Sequence, residues 1–109
     1  MLFLVELDHV KATAPTTPEG GRVFIEGRIF PTLERAEELA QKGTIVAGGA
    51  VVGRVALRFI VEAESPAHVD QIVTALPIWP VAETRVTPLI GFGERREHVE
   101  KLLANLASR

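Results

Sequence analysis

The sequence predicts one α+β domain, a four-stranded antiparallel sheet with helices on one face and a further helix at the C-terminus. Three observations carry this. Four segments, 2–10, 44–51, 54–63 and 82–90, are short and apolar and have the composition of strands. Two helix starts are written in the same way, Thr17-Pro18 and Ser65-Pro66, a capping hydroxyl followed by a proline suited to the first helical turn. The segments then follow one another as β-α-β-β-α-β, and right-handed crossovers place both helices on the same side of the sheet.

The first strand, over 2–10, sends Phe3, Val5 and Leu7 to one face and Leu2, Leu4, Glu6 and Asp8 to the other. Apolar residues at the start of both faces imply cover on both sides there. A loop over 11–17 leads to the Thr17 cap, with Glu19 in the first helical turn. From there Ile25, Ile29, Leu33, Ala36 and Ala40 recur at helical spacing, and Gly43 after Lys42 ends the helix. Pro31 interrupts it, because its ring lacks a donor and crowds the carbonyl of Gly27. A kink, or two segments meeting near Phe30, is expected.

The second and third strands, 44–51 and 54–63, flank a turn at Val52-Gly53 and read as a hairpin. Gly48-Gly49 inside the second strand signals a bulge or a close backbone approach. The helix opened by Ser65 carries Val69, Ile72, Val73 and Leu76 as its buried stripe, and Pro77 to Pro80 end it. Pro88 confines the end of the fourth strand, 82–90, to an edge or bulge. Gly91-Phe92-Gly93 is a hinge before a helix over 94–108 with Val99, Leu102, Leu103 and Leu106 on one face. All the helical stripes are expected to be core. The arrangement is the ferredoxin-like one, and Leu and Val on both parities of the strands predict that the helix-free face meets a second copy of the chain.

Composition narrows the function classes. The 109 residues suit a single domain, 1–109, with one modest core. Twelve basic against fourteen acidic side chains give a net charge of -2, which offers no footprint for nucleic acid. Without cysteine there is no disulfide, thiolate metal site or cysteine nucleophile. The apolar N-terminus has no basic residue ahead of it, and no apolar run approaches the ~20 residues of a membrane span. A cytoplasmic protein with no membrane partner is expected.

Several segments then carry a likeness: Met1-Leu-Phe-Leu-Val5, Glu37-Glu-Leu-Ala-Gln-Lys-Gly43, Val52-Gly53-Arg54, Val61-Glu-Ala-Glu-Ser65, Leu76-Pro-Ile-Trp-Pro80 and Arg85-Val-Thr-Pro-Leu89. Together they resemble the muconolactone isomerases over nearly the whole chain up to about Leu89. The resemblance implies a ferredoxin-like subunit of the dimeric α/β-barrel type, homo-oligomers, and a cofactor-free isomerisation of an unsaturated lactone from aromatic-compound catabolism. Such chemistry moves a proton across an allylic system and needs acid/base groups in a water-poor pocket. Where family members typically have a polar and aromatic run after the first helix, this chain has Ile45-Val-Ala-Gly-Gly-Ala50, which cannot transfer a proton. The first helix also looks longer, and a C-terminal helix follows where the family tends to trail off. The chain reads as a divergent branch.

Three residues are candidates for the proton transfer. His9 ends the first strand beside a loop, and histidine is the side chain that titrates near neutrality. Glu26 precedes the kink and would be desolvated if it faced the cleft; otherwise it pairs with Arg22 on a solvated face. Glu6 continues the face of Leu2 and Leu4, so it is either functional or paired with Arg58 or Arg85. Arg54, Arg58 and Arg85 could bind the carboxylate of a small organic acid, or form salt bridges at the sheet edge. Trp79 could wall an apolar pocket or bury itself between subunits. His68 and His98 read as surface residues, and the three histidines show no ligand spacing for a metal.

Two functions from different classes follow. One is an isomerase-like enzyme in which His9 with Glu26 or Glu6 moves the proton and an arginine holds the substrate. The other is a non-catalytic oligomeric module that binds a small ligand or fills an accessory role in a catabolic pathway. An oxygenase of the antibiotic-monooxygenase type on the same scaffold has only the shared fold behind it, and fold does not fix function.

Overall fold

The computed structural model describes all residues, 1–109. Its strands are β1 (Leu2–His9), β2 (Ile45–Ala50), β3 (Ala56–Glu62) and β4 (Ala82–Leu89), and its helices are α1 (Pro18–Phe24), α2 (Phe30–Gln41), α3 (Pro66–Thr74) and α4 (Phe92–Ala107). The strands form one open sheet in the order β2-β3-β1-β4, every pair antiparallel. The expected βαββαβ architecture is therefore the observed one, and β4, with Pro88, is an edge strand. No helix is long and apolar enough to cross a membrane.

The capping signals work as expected. Thr17 accepts from the Gly20 N–H at 3.0 Å and Ser65 accepts from the His68 N–H at 3.1 Å. His68 returns the contact, its Nδ1 accepting from the Glu64 N–H at 3.1 Å, so it has a local structural partner. Pro31 acts on the turn before it. Residues Ile25–Ile29 form a π turn in which the Phe30 N–H reaches back to the Ile25 carbonyl. Widening the turn relieves the crowding that the proline ring imposes on the helix, and α1 and α2 meet at Phe30.

The core lies between one face of the sheet and the helices. Phe3, Val5 and Leu7 of β1, Phe59 and Val61 of β3, Leu39 of α2 and Val69 and Val73 of α3 form it, and burying each large side chain contributes on the order of 1.5–3 kcal/mol. Two expected stripes are not core. Along the π turn and α2 the buried residues are Thr32 and Leu39, while Ile25 and Leu33 stay 42% and 37% exposed. In α4 every residue is exposed, including Phe92 at 98% and Leu103 at 66%, because the helix projects from the body. The chain accordingly measures 68 × 30 × 25 Å, with a radius of gyration of 18.3 Å against about 13 Å for a compact chain of this length.

The helix-free face is also not uniformly apolar. Register places Leu4 opposite Ile60 and Leu2 opposite Leu89 at one end, and Glu6 between Arg58 and Arg85 at the other. One end could seat another surface, and the other is ionic.

The glycine pair of β2 has a steric cause. A Cβ on Gly48, whose φ is +127°, would lie 2.3 Å from the Arg58 carbonyl oxygen and 2.4 Å from the Phe59 Cα. The pairing register of β2 with β3 is irregular between Ile45 and Ala47, as a bulge requires. Gly48→Ala is expected to lower stability by at least about 1–3 kcal/mol, the scale of a glycine-only conformation, whereas Gly49→Ala, with open space around its Cβ position, should cost far less. Urea denaturation of the two variants beside the parent checks this.

Candidate functional site

β1 alternates strictly, and the odd positions Phe3, Val5 and Leu7 point to the helix side. His9 is the next odd position, so it extends the core row to the mouth of the space beneath the π turn and α2. That space is an apolar cavity of about 160 Å³ lined by Leu7, His9, Ile29, Thr32, Leu33, Ala50, Arg54, Val55, Ala56, Leu57, Ile78 and Ala82. The two side chains in it that carry or can carry a charge are His9 and Arg54.

The His9 ring is held on two sides. It packs on Phe24, with ring centroids 4.8 Å apart and planes tilted by 40°. Its Nε2 lies 2.9 Å from the Thr13 hydroxyl, and that hydroxyl donates to the Val10 carbonyl at 2.6 Å. A hydroxyl has one proton, so Thr13 can only accept from the ring. The network therefore assigns the tautomer with hydrogen on Nε2 and leaves the Nδ1 lone pair as a base. The backbone of His9 is tied to the hairpin by its N–H, which donates to the Val55 carbonyl at 3.0 Å.

Arg54 follows the β2–β3 turn and reaches the cavity from the hairpin. Its guanidinium makes a very short contact with Asp8, which is shared with Arg58 at 3.1 Å. Arg58 also lies 3.4 Å from Glu6. The network runs along the helix-free face and meets the cavity only through Arg54. Two of the guanidinium's five N–H donors suffice for a carboxylate, so holding Asp8 does not exhaust Arg54 as an anion anchor.

The remaining candidates fall elsewhere. Glu6 is on the helix-free face with Arg58, the paired structural alternative. Glu26 lies on the exposed side of the π turn with no hydrogen bond, and the Arg22 expected to pair with it instead binds Glu19 at 2.7 Å, a shorter span along α1. Arg85 stands beside Glu6 in the register but outside the cavity, on the same ionic surface as Glu83 and Asp8. Trp79 is 40% exposed and its neighbour Ile78 lines the cavity in its place. Of the residues that the sequence singles out for chemistry, His9 and Arg54 are thus the two that the fold brings together around an apolar space.

Two residues escape a reading of the sequence alone. Thr32, 3% exposed, accepts from the Ile78 N–H at 3.0 Å, and Arg28 one turn earlier donates to the Pro77 carbonyl at 2.7 Å. They tie the segment after α3 to the π turn and α2, and Thr32 and Ile78 both line the cavity. A polar residue four positions after an arginine, facing a segment bounded by prolines, was the available signal.

The muconolactone delta-isomerase family profile matches residues 1–94. Among solved structures the chain is similar to muconolactone isomerase, with 22% identity, a TM-score of 0.68 and coverage of 84% of this chain and 90% of that one. It is also similar to 5-chloro-2-hydroxyhydroquinone dehydrochlorinase of Burkholderia phenoliruptrix in complex with 2,5-dihydroxybenzoquinone, with 24% identity, a TM-score of 0.61 and coverage of 86% and 98%. At these identities the structural likeness speaks for the fold. No curated protein matches the chain.

The tautomer is directly measurable. Long-range proton–nitrogen NMR in mildly alkaline buffer is expected to show His9 protonated on Nε2, and Thr13→Val, which removes the acceptor, should give a mixture of tautomers. A wild-type ring protonated on Nδ1 would contradict the assignment.

Proposed function

The chain belongs to the muconolactone delta-isomerase family, and on that premise we propose that it is a cofactor-free isomerase of small unsaturated lactones or organic acids in aromatic-compound breakdown. The observation that supports this most is that His9, whose Nε2 is engaged by Thr13, lines an apolar cavity together with the arginine Arg54. His9 takes a proton from the saturated end of the allylic system, the γ-carbon of a conjugated carbonyl or the α-carbon of a β,γ-unsaturated one, and electrons move into the conjugated system. The same imidazolium returns the proton at the far end of the allylic system. One C–H bond breaks, another forms, and no oxidant, reductant or co-reactant is consumed. Arg54 orients the substrate through its carboxylate, and the apolar walls exclude competing water. The first half of this reaction, proton removal from a carbon acidified by a carbonyl, also opens eliminations such as the loss of chloride named for the dehydrochlorinase above.

A second reading keeps the cavity and drops the chemistry: a binding module for a small acid. It is favoured by the position of Glu6 and Glu26 outside the cavity, which leaves His9 without a second acid/base partner. Transfer by a single histidine requires it to serve both carbons.

We also take the working form to be a homo-oligomer. The exposed apolar row of α4 and the Leu4–Ile60 end of the sheet are the surfaces that support it. Sedimentation is expected to give a dimer or larger assembly at micromolar concentration, and a clean monomer would overturn this.

For the chemistry, solvent-deuterium incorporation across a panel of unsaturated lactones is the test. His9→Ala is expected to lower exchange by about 10²–10⁴-fold, the usual contribution of a positioned acid/base group, while Glu26→Gln leaves it within about twofold. Arg54→Ala should act mainly on KM. If no candidate exchanges with the wild type but carboxylates bind, the binding-module reading stands in its place.

A further inference from the structure

We propose that the substrate carries an apolar substituent, an alkyl or aryl group several carbons long, which lies in a trough leading from the His9 cavity along α2 and β2. This deepens the functional reading above and rests on it for the head group alone. The trough is a second depression, of about 240 Å³, between these two elements. It shares Leu33, Ala50 and Leu57 with the cavity that holds His9 and Arg54, so the two adjoin.

The trough has an identifiable origin. One wall is the α2 face formed by Leu33, Ala36 and Ala40, positions that recur at helical spacing but stay short of full burial. Opposite them β2 supplies Ala50 and the backbone of Gly48 and Gly49, and none of the three carries more than a methyl group. At Gly48 the choice is forced, since a Cβ would strike the backbone of β3. A strand glycine commonly marks a place where a ligand comes close, and small residues facing an apolar helical row leave room for one. The occupant is set by what adjoins the space: an end with a base and a guanidinium, then an apolar extension with Glu37 as its one charged lining residue.

Two homologous series test this by calorimetry, the carboxylates acetate, butyrate, hexanoate and octanoate, and the alcohols of matching length. In the wild type affinity is expected to rise about fourfold per methylene, the transfer value for a buried CH₂, until the trough is full. Ala40→Phe, at an exposed position outside the His9 cavity, should leave acetate unchanged and stop the gain beyond butyrate. Ala50→Leu, at the junction, should do so earlier, and thermal melts of both variants check that they fold. A wild-type affinity that does not depend on length in either series, or an Ala40→Phe protein that binds octanoate like the parent, would overturn the proposal, including the case in which a neighbouring subunit fills the trough. Acids that bind no tighter than alcohols, with length dependence intact, would instead sink the role of Arg54 and leave the trough standing.

Discussion

The alternation of β1 is the constraint on which the rest depends. It is the interior strand flanked by β3 and β4, so its register is pinned from both sides. Its odd residues are buried almost completely, with Val5 at 0%, and a slip of one position would exchange the core row for Leu2, Leu4, Glu6 and Asp8. Burying two carboxylates in that way would cost several kcal/mol each, far more than any alternative pairing could return. The same parity that builds the core delivers His9 to the helix side and Asp8 to the other, where it holds Arg54 and Arg58. Site and ionic network are two faces of one strand.

What surrounds His9 is shaped by missing groups as much as by present ones. Pro31 lacks a donor, and the π turn that answers it sets the row of Ile29 and Leu33 above the cavity. Gly48 lacks a Cβ, so β2 can close on β3. Thr32 and Arg28 tie the Pro77–Ile78 segment to the π turn and α2. With no buried side-chain polar atom left unpartnered, the apolar space is bounded by a satisfied frame.

The molecule is divided in a way that bears on assembly. Its ferredoxin-like body is matched by the family, whereas nearly all of α4 lies beyond the matched residues 1–94. That helix keeps its leucines exposed and lengthens the chain to 68 Å. A helix with an apolar row and no packing partner gains little from its own fold, since helical stability in proteins comes chiefly from burying such a face. The charged half of the sheet, by contrast, is already paired within the chain, with Arg58 between Glu6 and Asp8 and Arg54 on Asp8.

Much of this was legible in the residues themselves. The order of strands and helices, the caps at Thr17 and Ser65, the break near Phe30 and the glycine irregularity in β2 are local matters, governed by periodicity, missing donors and steric room within a few residues. His9 was legible as a candidate because the β1 pattern runs straight to it. Which of Glu6, Glu26 and His9 share a space was not, since that depends on which side of a sheet or helix meets another element across the fold. Nor was the fate of the α2 and α4 rows: periodicity tells that a face is apolar, but only the packing of distant segments decides whether it becomes core, the wall of a cavity or an uncovered surface.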